Sequence, residues 1–450
     1  MKHLCLILRL SSKSTGMNKR YSLFCLLLAL PFIGLSQKSK RPQVLVYGYG
    51  ADAYAAALQS SMSNLNTVWV VNGDKIMPEL TSDFIAVTSA TRLDAGVWAN
   101  LLAKTLRHDK RSDSLSTIAK RRINPRIVQN VVDSTLKAYK NLTIIEQGQL
   151  RSVKKSGKDW QVELADRSRF KIRAVVDASE DAYLYRLATG NTDSLNVRTS
   201  LSPDYFQTGA YDGLSRTSVA VGDAGGRVFT LPLPALMPAD DSNLFVTRRL
   251  PTVQRLLSDT ADDIPLLMHV GQAVGAAAAY TAFFKTTTDK LDARNVQGEL
   301  LQYGARLMPF VDVSIESPYF AATQRVGATG ILLGRMATDG RLYFDPDAMV
   351  TAGEIKPVLN QLFSRSQIWF VNYANVDTLT LADLFSYIKF VGQRGNELEG
   401  QVQKNWKRRF QLDGEYDEQQ PISRKLFAVL LDAYCKPFDV KIGLDGTIQR

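Results

Sequence analysis

Hydrophobic and polar positions alternate along this chain in two different rhythms, and the change from one to the other sets its layout. Gln43 to Tyr47 is a β-branched run that ends in glycine, Ala51 to Met62 is alanine-rich with helical spacing, and Thr67 to Val71 is a second β-rich run. Together they predict a β-α-β unit of about 30 residues. Pro125 stands at a helix start, and Ile127, Val131, Val132 and Leu136 repeat at helical spacing through Arg126 to Tyr139. Leu142 to Ile145 reads as a strand. Alternating runs around Leu150 to Val153, Trp160 to Leu164 and Phe170 to Val176 predict a β-meander that returns the chain to the sheet. Residues 191–230 are rich in Ser, Thr, Gly and Asp and read as a loop-rich insertion. Strand character resumes at Leu231 to Leu236 and Asn243 to Val246, and Ile264 to Phe284 predicts a long alanine-rich helix.

The amino end is set apart from the fold. Asn18, Lys19 and Arg20 precede the apolar run Leu23 to Ile33, and Gly34 to Gln37 supplies small residues, the pattern of a secretory signal starting at Met17 and cut after Ser36. The run is shorter than the ~20 apolar residues of a membrane span. The expected mature protein is therefore exported, periplasmic or extracellular, with no transmembrane segment. Of three cysteines, Cys5 and Cys25 lie in that leader, so Cys435 stands alone and neither a disulfide nor a redox dithiol forms within the mature chain. His3, His108 and His269 are the only histidines, which leaves no metal-binding constellation. The formal charge of +11 includes Lys2, Arg9, Lys13, Lys19 and Arg20 of the leader; 50 remaining basic residues against 44 acidic ones leave +6. Lys120 to Arg122 and Lys407 to Arg409 read as solvated faces, and no nucleic-acid partner is expected.

Three separated segments carry candidate chemistry. Gly48-Tyr49-Gly50-Ala51-Asp52-Ala53 has the spacing G-x-G-x-x-G/A between a strand and a helix. In that setting Gly48 allows the tight turn, Gly50 leaves room for a pyrophosphate at the helix N-terminus, and the small Ala53 lets helix and strand pack closely. Val175-Val176-Asp177-Ala178 closes a later strand before Ser179-Glu180-Asp181. Val270 to Ala279 contains Gly271-Gln272-Ala273-Val274-Gly275. In this order the segments resemble the FAD-dependent oxidoreductases with a glutathione-reductase-like fold. The resemblance covers roughly residues 43–285.

That resemblance implies an α/β, Rossmann-like FAD/NAD(P)-binding domain with a β-meander and a small inserted substrate domain, followed by a C-terminal helical module. The implied boundaries are a leader at 1–36, the FAD-binding domain at 37–190 and 231–305, the insertion at 191–230 and the module at 311–450. The implied cofactor is FAD, held by Gly48, Gly50, Ala53, Asn72, Asp177, Arg249, Gly271, Gln272 and Gly275. Asn72 stands where the family places a ribose-binding acid, with Asp74 near enough in sequence to substitute for it; the family's glycine pair after that strand is absent, and Asp262 falls where the family often has arginine. Arg249 is the better match of the pair Arg248-Arg249 to the family's Gly-Arg. The Gly271 helix is expected to point its start at the flavin ring, and His269 reads as a structural histidine ahead of it.

From Val311 onward, a helix and a glycine-bounded turn within Ala321 to Gly334, then a second helix capped by Thr351 with Glu354 behind it, resemble an S-layer homology repeat, with a partial second copy at Pro421 to Leu431. Ala352 replaces the hallmark central arginine, which favours a protective helical cap over binding of a cell-envelope polymer. The function expected is an exported FAD-dependent oxidoreductase acting on an unknown small molecule. The alternative is a flavin-free descendant that serves as an envelope binding or scaffold protein.

Overall fold

Five parallel strands form the sheet that positions everything else. The computed structural model describes residues 41–449 apart from 90, 191–194, 209–210, 240–241 and 375, so the signal at 17–36 lies outside the described residues. The central strand β1 (Val44–Gly48) pairs in register with β2 (Thr67–Val70) on one side and with β7 (Ala174–Ala178) on the other. β3 (Leu142–Ile145) extends the β2 edge, and β10 (Leu244–Val246) extends the β7 edge. All five residues of β1 and of β7 are buried, as expected for parallel strands covered on both faces.

One face is covered by two alanine-rich helices, Ala51–Met62 and Ile264–Phe283, whose backbones nearly touch. A Cβ built on Gly271 would collide with the Asp52 carbonyl, and one on Gly275 would sit 2.5 Å from the Ala56 carbonyl oxygen. Glycine at both positions, one turn apart, is what allows this crossing. The Ala261–Phe283 stretch is long and apolar enough to cross a membrane, yet 89% of its apolar window is buried inside the protein. It is a core helix.

The predicted meander is present as the antiparallel strands β4 (Leu150–Ser156), β5 (Asp159–Leu164) and β6 (Arg169–Ile172). The insertion is more ordered than its composition suggests, because its end forms a hairpin of β8 (Ser218–Ala224) and β9 (Arg227–Pro232) around Gly225-Gly226. The strand expected to run on to Leu236 stops at Pro232. Pro232 and Pro234 lack the N–H groups a ladder needs, and Leu233–Leu236 turns as a short 3-10 helix instead.

The C-terminal region is helical and has its own apolar cluster around Phe310, Phe344, Leu359, Leu384, Ile388, Phe427 and Leu430. Thr351, Thr380 and Ser423 each cap a helix, at Ala352–Leu362, Leu381–Val391 and Arg424–Tyr434. The bridges Thr351 to Thr378, Thr380 to Pro421 and Met349 to Ser423 draw the three helix starts together. The middle one of these helices carries a full capping box between Thr380 and Asp383.

Candidate functional site

In open parallel sheets ligands bind in the crevice outside the carboxyl ends of the strands, and here β1, β2, β7 and β10 end on the same edge of the sheet. Gly48, at φ 128°, lies so close to β7 that a Cβ would strike the Ala178 carbonyl. Gly50, at φ 104°, donates its N–H to Ile76 O at 2.8 Å and leads into the Ala51 helix, with Ala53 buried in the first turn. Gly48 thus makes the tight turn between strand and helix, and Gly50 the close approach at the helix start.

The space beside Gly50 is filled by the protein itself. A Cβ there would lie 2.6 Å from Arg248 Nη2 and 2.6 Å from Glu79 Oε1. Glu79 Oε1 accepts the Ala51 N–H at 2.8 Å, the bond an anion at this helix N-terminus would make, and sits 3.4 Å from Arg248 Nη2. Arg248 also grips Asp52, with Nη2 2.8 Å from Oδ1 and Nε 3.4 Å from Oδ2, while Thr247 donates its hydroxyl to Oδ2. Asp52 is fully buried, and its charge keeps Arg248 protonated well above the usual arginine range. Burial raises the Glu79 carboxyl above its ordinary value, against the Ala51 hydrogen bond that lowers it. The second Glu79 oxygen, Oε2, is buried and has no hydrogen-bond partner among the described residues.

Asn72, just past β2, turns its amide to the Tyr47 hydroxyl and leaves Oδ1 buried and unpartnered. Burial pushes Tyr47 up to about 12. Tyr49 lays its ring against Gly73 and hydrogen-bonds Glu180, and burial together with that bond pushes it up to about 12. Asp74 is exposed.

The remaining residues expected at a cofactor have other partners. Asp177 is fully buried and accepts from Ser179 N at 3.0 Å, Ser179 Oγ at 2.6 Å and Tyr185 N at 2.7 Å, so it closes the turn after β7; burial pushes it up to about 6. Arg249 is exposed and donates to the Glu180 carbonyl, whereas Arg248 reaches the crevice. Gly271 and Gly275 lie mid-helix against the Ala51 helix, because the helix begins at Ile264 behind the capping box of Thr260 and Asp263. Gln272 holds Val97 N at 3.0 Å and Gln59 Oε1 at 2.9 Å in the core. Glu79 and Arg248 are the two residues of the crevice that the sequence did not single out as holding it.

At the true start of the Ile264 helix lies a polar cavity of about 20 Å³, enough for one water. Asp94 and Lys120 pair across it at 2.7 Å, Asp223 accepts from Ser89 at 2.6 Å, and Asp262, in place of the family's arginine, ties down Thr88 and Ser89. His269 gives its Nδ1 proton to Val221 O at 2.9 Å, and burial holds the ring neutral with Nε2 unpartnered among the described residues.

The sheet order and the glycine turn define an α/β protein with a Rossmann-like fold. A family model, FAD dependent oxidoreductase, matches residues 43–194, about a third of the chain, and supports FAD as the nucleotide. Solved structures with limited likeness include HlmI, 16% identical over 31% of this chain and 35% of that one with a TM-score of 0.22. Tetracycline destructase Tet(51) is 12% identical over 35% of this chain and 44% of its own, with a TM-score of 0.24. GidA of Aquifex aeolicus is 16% identical over 31% and 25%, with a TM-score of 0.24. The chain thus spans less than half the length of each, and the likeness carries none of their properties over. No curated protein matches the chain. The family match stops well before the C-terminal helices, and the S-layer resemblance of that region finds no support.

Whether the crevice suits FAD divides at its two ends. Asn72 Oδ1 is a free acceptor at the end of β2, where a ribose hydroxyl has to donate, and this end fits. The pyrophosphate position on Ala51 N–H is held by Glu79, and that end does not fit while Glu79 stays.

Proposed function

We propose that this protein is an FAD-dependent oxidoreductase acting on a small molecule, exported to the periplasm or the outside by its 17–36 segment. The observation that carries this reading is the free Asn72 acceptor beside the Gly48 to Gly50 turn, inside the stretch that matches the flavoprotein family. FAD, when bound, supplies the redox chemistry. The chain's part is to hold it. Gly50 gives the backbone approach, Arg248 offers a fixed cation, and Asn72 accepts from the ribose. His269, buried and hydrogen-bonded through Nδ1 to Val221 O, is held neutral by burial and keeps a structural part at the Ile264 helix.

A second reading, a flavin-free scaffold in the cell envelope, is favoured by Glu79, whose carboxylate already satisfies the helix N-terminus. Under either reading the C-terminal helices protect the sheet domain or, through their three gathered helix starts, contact an envelope polymer. The deciding experiment is the visible spectrum of the purified, FAD-reconstituted full chain. Retained absorbance near ~450 nm supports the oxidoreductase. A colourless protein after reconstitution supports the scaffold. Co-sedimentation of the protein with purified cell walls tests the polymer contact.

A further inference from the structure

Resting on the FAD reading above, we propose that Glu79 is an intramolecular stand-in for the pyrophosphate, a gate that must swing out before FAD can seat. Its Oε1 makes the two contacts that mark an anion position in this crevice, to Ala51 N and to Arg248 Nη2, and both lie in the space left open by Gly50. The helix it caps starts after a glycine, which has no side chain to cap it, so the internal carboxylate takes that place. Charge makes the occupancy exclusive. Asp52 and Glu79 already share one guanidinium, and a pyrophosphate added beside both would place its own negative charges against two carboxylates with only Arg248 to offset them.

The same geometry lets Glu79 leave. One of its oxygens is buried without a partner, so its present position is not its best-satisfied one. Its side chain is 22% exposed, which gives it a path to solvent. It rides on a helix of only four residues, Pro78–Thr81, whose neighbours Met77 and Leu80 are fully buried. The backbone is therefore pinned and the movement is a side-chain rotation. Asp52 stays behind with Arg248 and Thr247, so the cation remains in place for the phosphate. The ionisable groups facing Glu79 are Asp52, Arg248 and Tyr49, with Glu180 beyond them against Tyr49 and Arg248, and of the two carboxylates hydrogen-bonded to Arg248 only Glu79 has a way out.

The test is titration of the full chain with FAD, read by quenching of flavin fluorescence, for wild type, Glu79→Gln and Glu79→Ala, with thermal unfolding run beside it. Glu79→Ala is expected to bind FAD about tenfold or more tighter than wild type, with Glu79→Gln between them. Wild-type affinity is expected to rise as pH falls, since a protonated Glu79 competes less, and this trend should be lost in Glu79→Gln. If wild type and both variants bind saturably with the same affinity, Glu79 is no gate although the FAD reading stands. If all three unfold cooperatively yet none binds, the FAD reading fails and the gate with it. Should Glu79→Ala be unfolded, Glu79→Gln, nearly the same in size, decides alone.

Discussion

Two arginine–carboxylate clasps, one at the mouth of the sheet and one among the C-terminal helices, use the same residue types to different ends. Arg424 sends Nε to Phe344 O at 2.6 Å, Nη2 to Leu333 O and Nη1 to Glu354, so every arm of its guanidinium ties a piece of backbone or a capped helix into the core. Arg248 instead divides itself between two carboxylates and leaves Glu79 Oε2 without a partner. The first clasp is fully satisfied and has nothing to exchange. The second holds an anion position with a replaceable member, and incomplete satisfaction marks the place where a ligand could improve on the resting state.

Substitutions separate the two clasps, beginning with the strongest. Arg424→Ala should destabilise the chain by about 2–4 kcal/mol, since the buried Phe344 O loses its donor and the half-buried Glu354 its partner; urea unfolding measures it, and a loss under about 1 kcal/mol would remove the contrast. Gly50→Val forces a β-branched residue to φ 104° and pushes it onto Arg248 and Glu79. It should cost about 1–3 kcal/mol of stability and abolish FAD binding, which unfolding and FAD titration on one preparation will show. Asn72→Asp adds an acceptor beside the free Oδ1 and should tighten FAD by about 1 kcal/mol, roughly fivefold, in the same titration.

The smallest effect concerns pH. Folded Glu79 keeps its proton to a higher pH than in the unfolded chain, because burial opposes its charge. Between the unfolded and folded values the native state binds more protons, so its stability falls as pH rises through that window and levels off above it. Glu79→Gln has no proton to lose and should flatten that part of the stability–pH curve. Above that window ionised Glu79 works against the fold it sits in.

Much of this fold was legible because it is written locally. The β-branched run of β1, the alanine-rich helix after it, the meander and the Thr351 cap each follow from spacing within a dozen residues. Gly48 and Gly50 were legible for the same reason. Glu79 was not, since its meaning comes from Ala51 and from Arg248, 169 residues away. Nothing within the pair Arg248-Arg249 says which side chain turns inward; the burial of Asp52 decides it. Gly271 and Gly275 misled for a physical reason: small residues in a helix serve equally to approach a ring or another helix, and here the partner is the Ala51 helix. Gln272 and Asp177 were read as ligand groups because a buried polar side chain near a glycine motif looks the same in sequence whether it meets a cofactor or a backbone N–H.

The near-contact of the two alanine-rich helices also bears on how the chain is made. Every residue of Ala51–Met62 is buried, and the helix that covers it at Gly271 and Gly275 begins only at Ile264. At about 5–20 residues per second, the roughly 200 intervening residues take on the order of 10–40 s to synthesise. For that interval the first helix leaves the ribosome with its apolar surface uncovered and β1 without β7 or β10 beside it. The sheet therefore closes late beside Gly48 and Gly50, as the product of a long-range docking step, and slower elongation lengthens the time for which that apolar surface stays open.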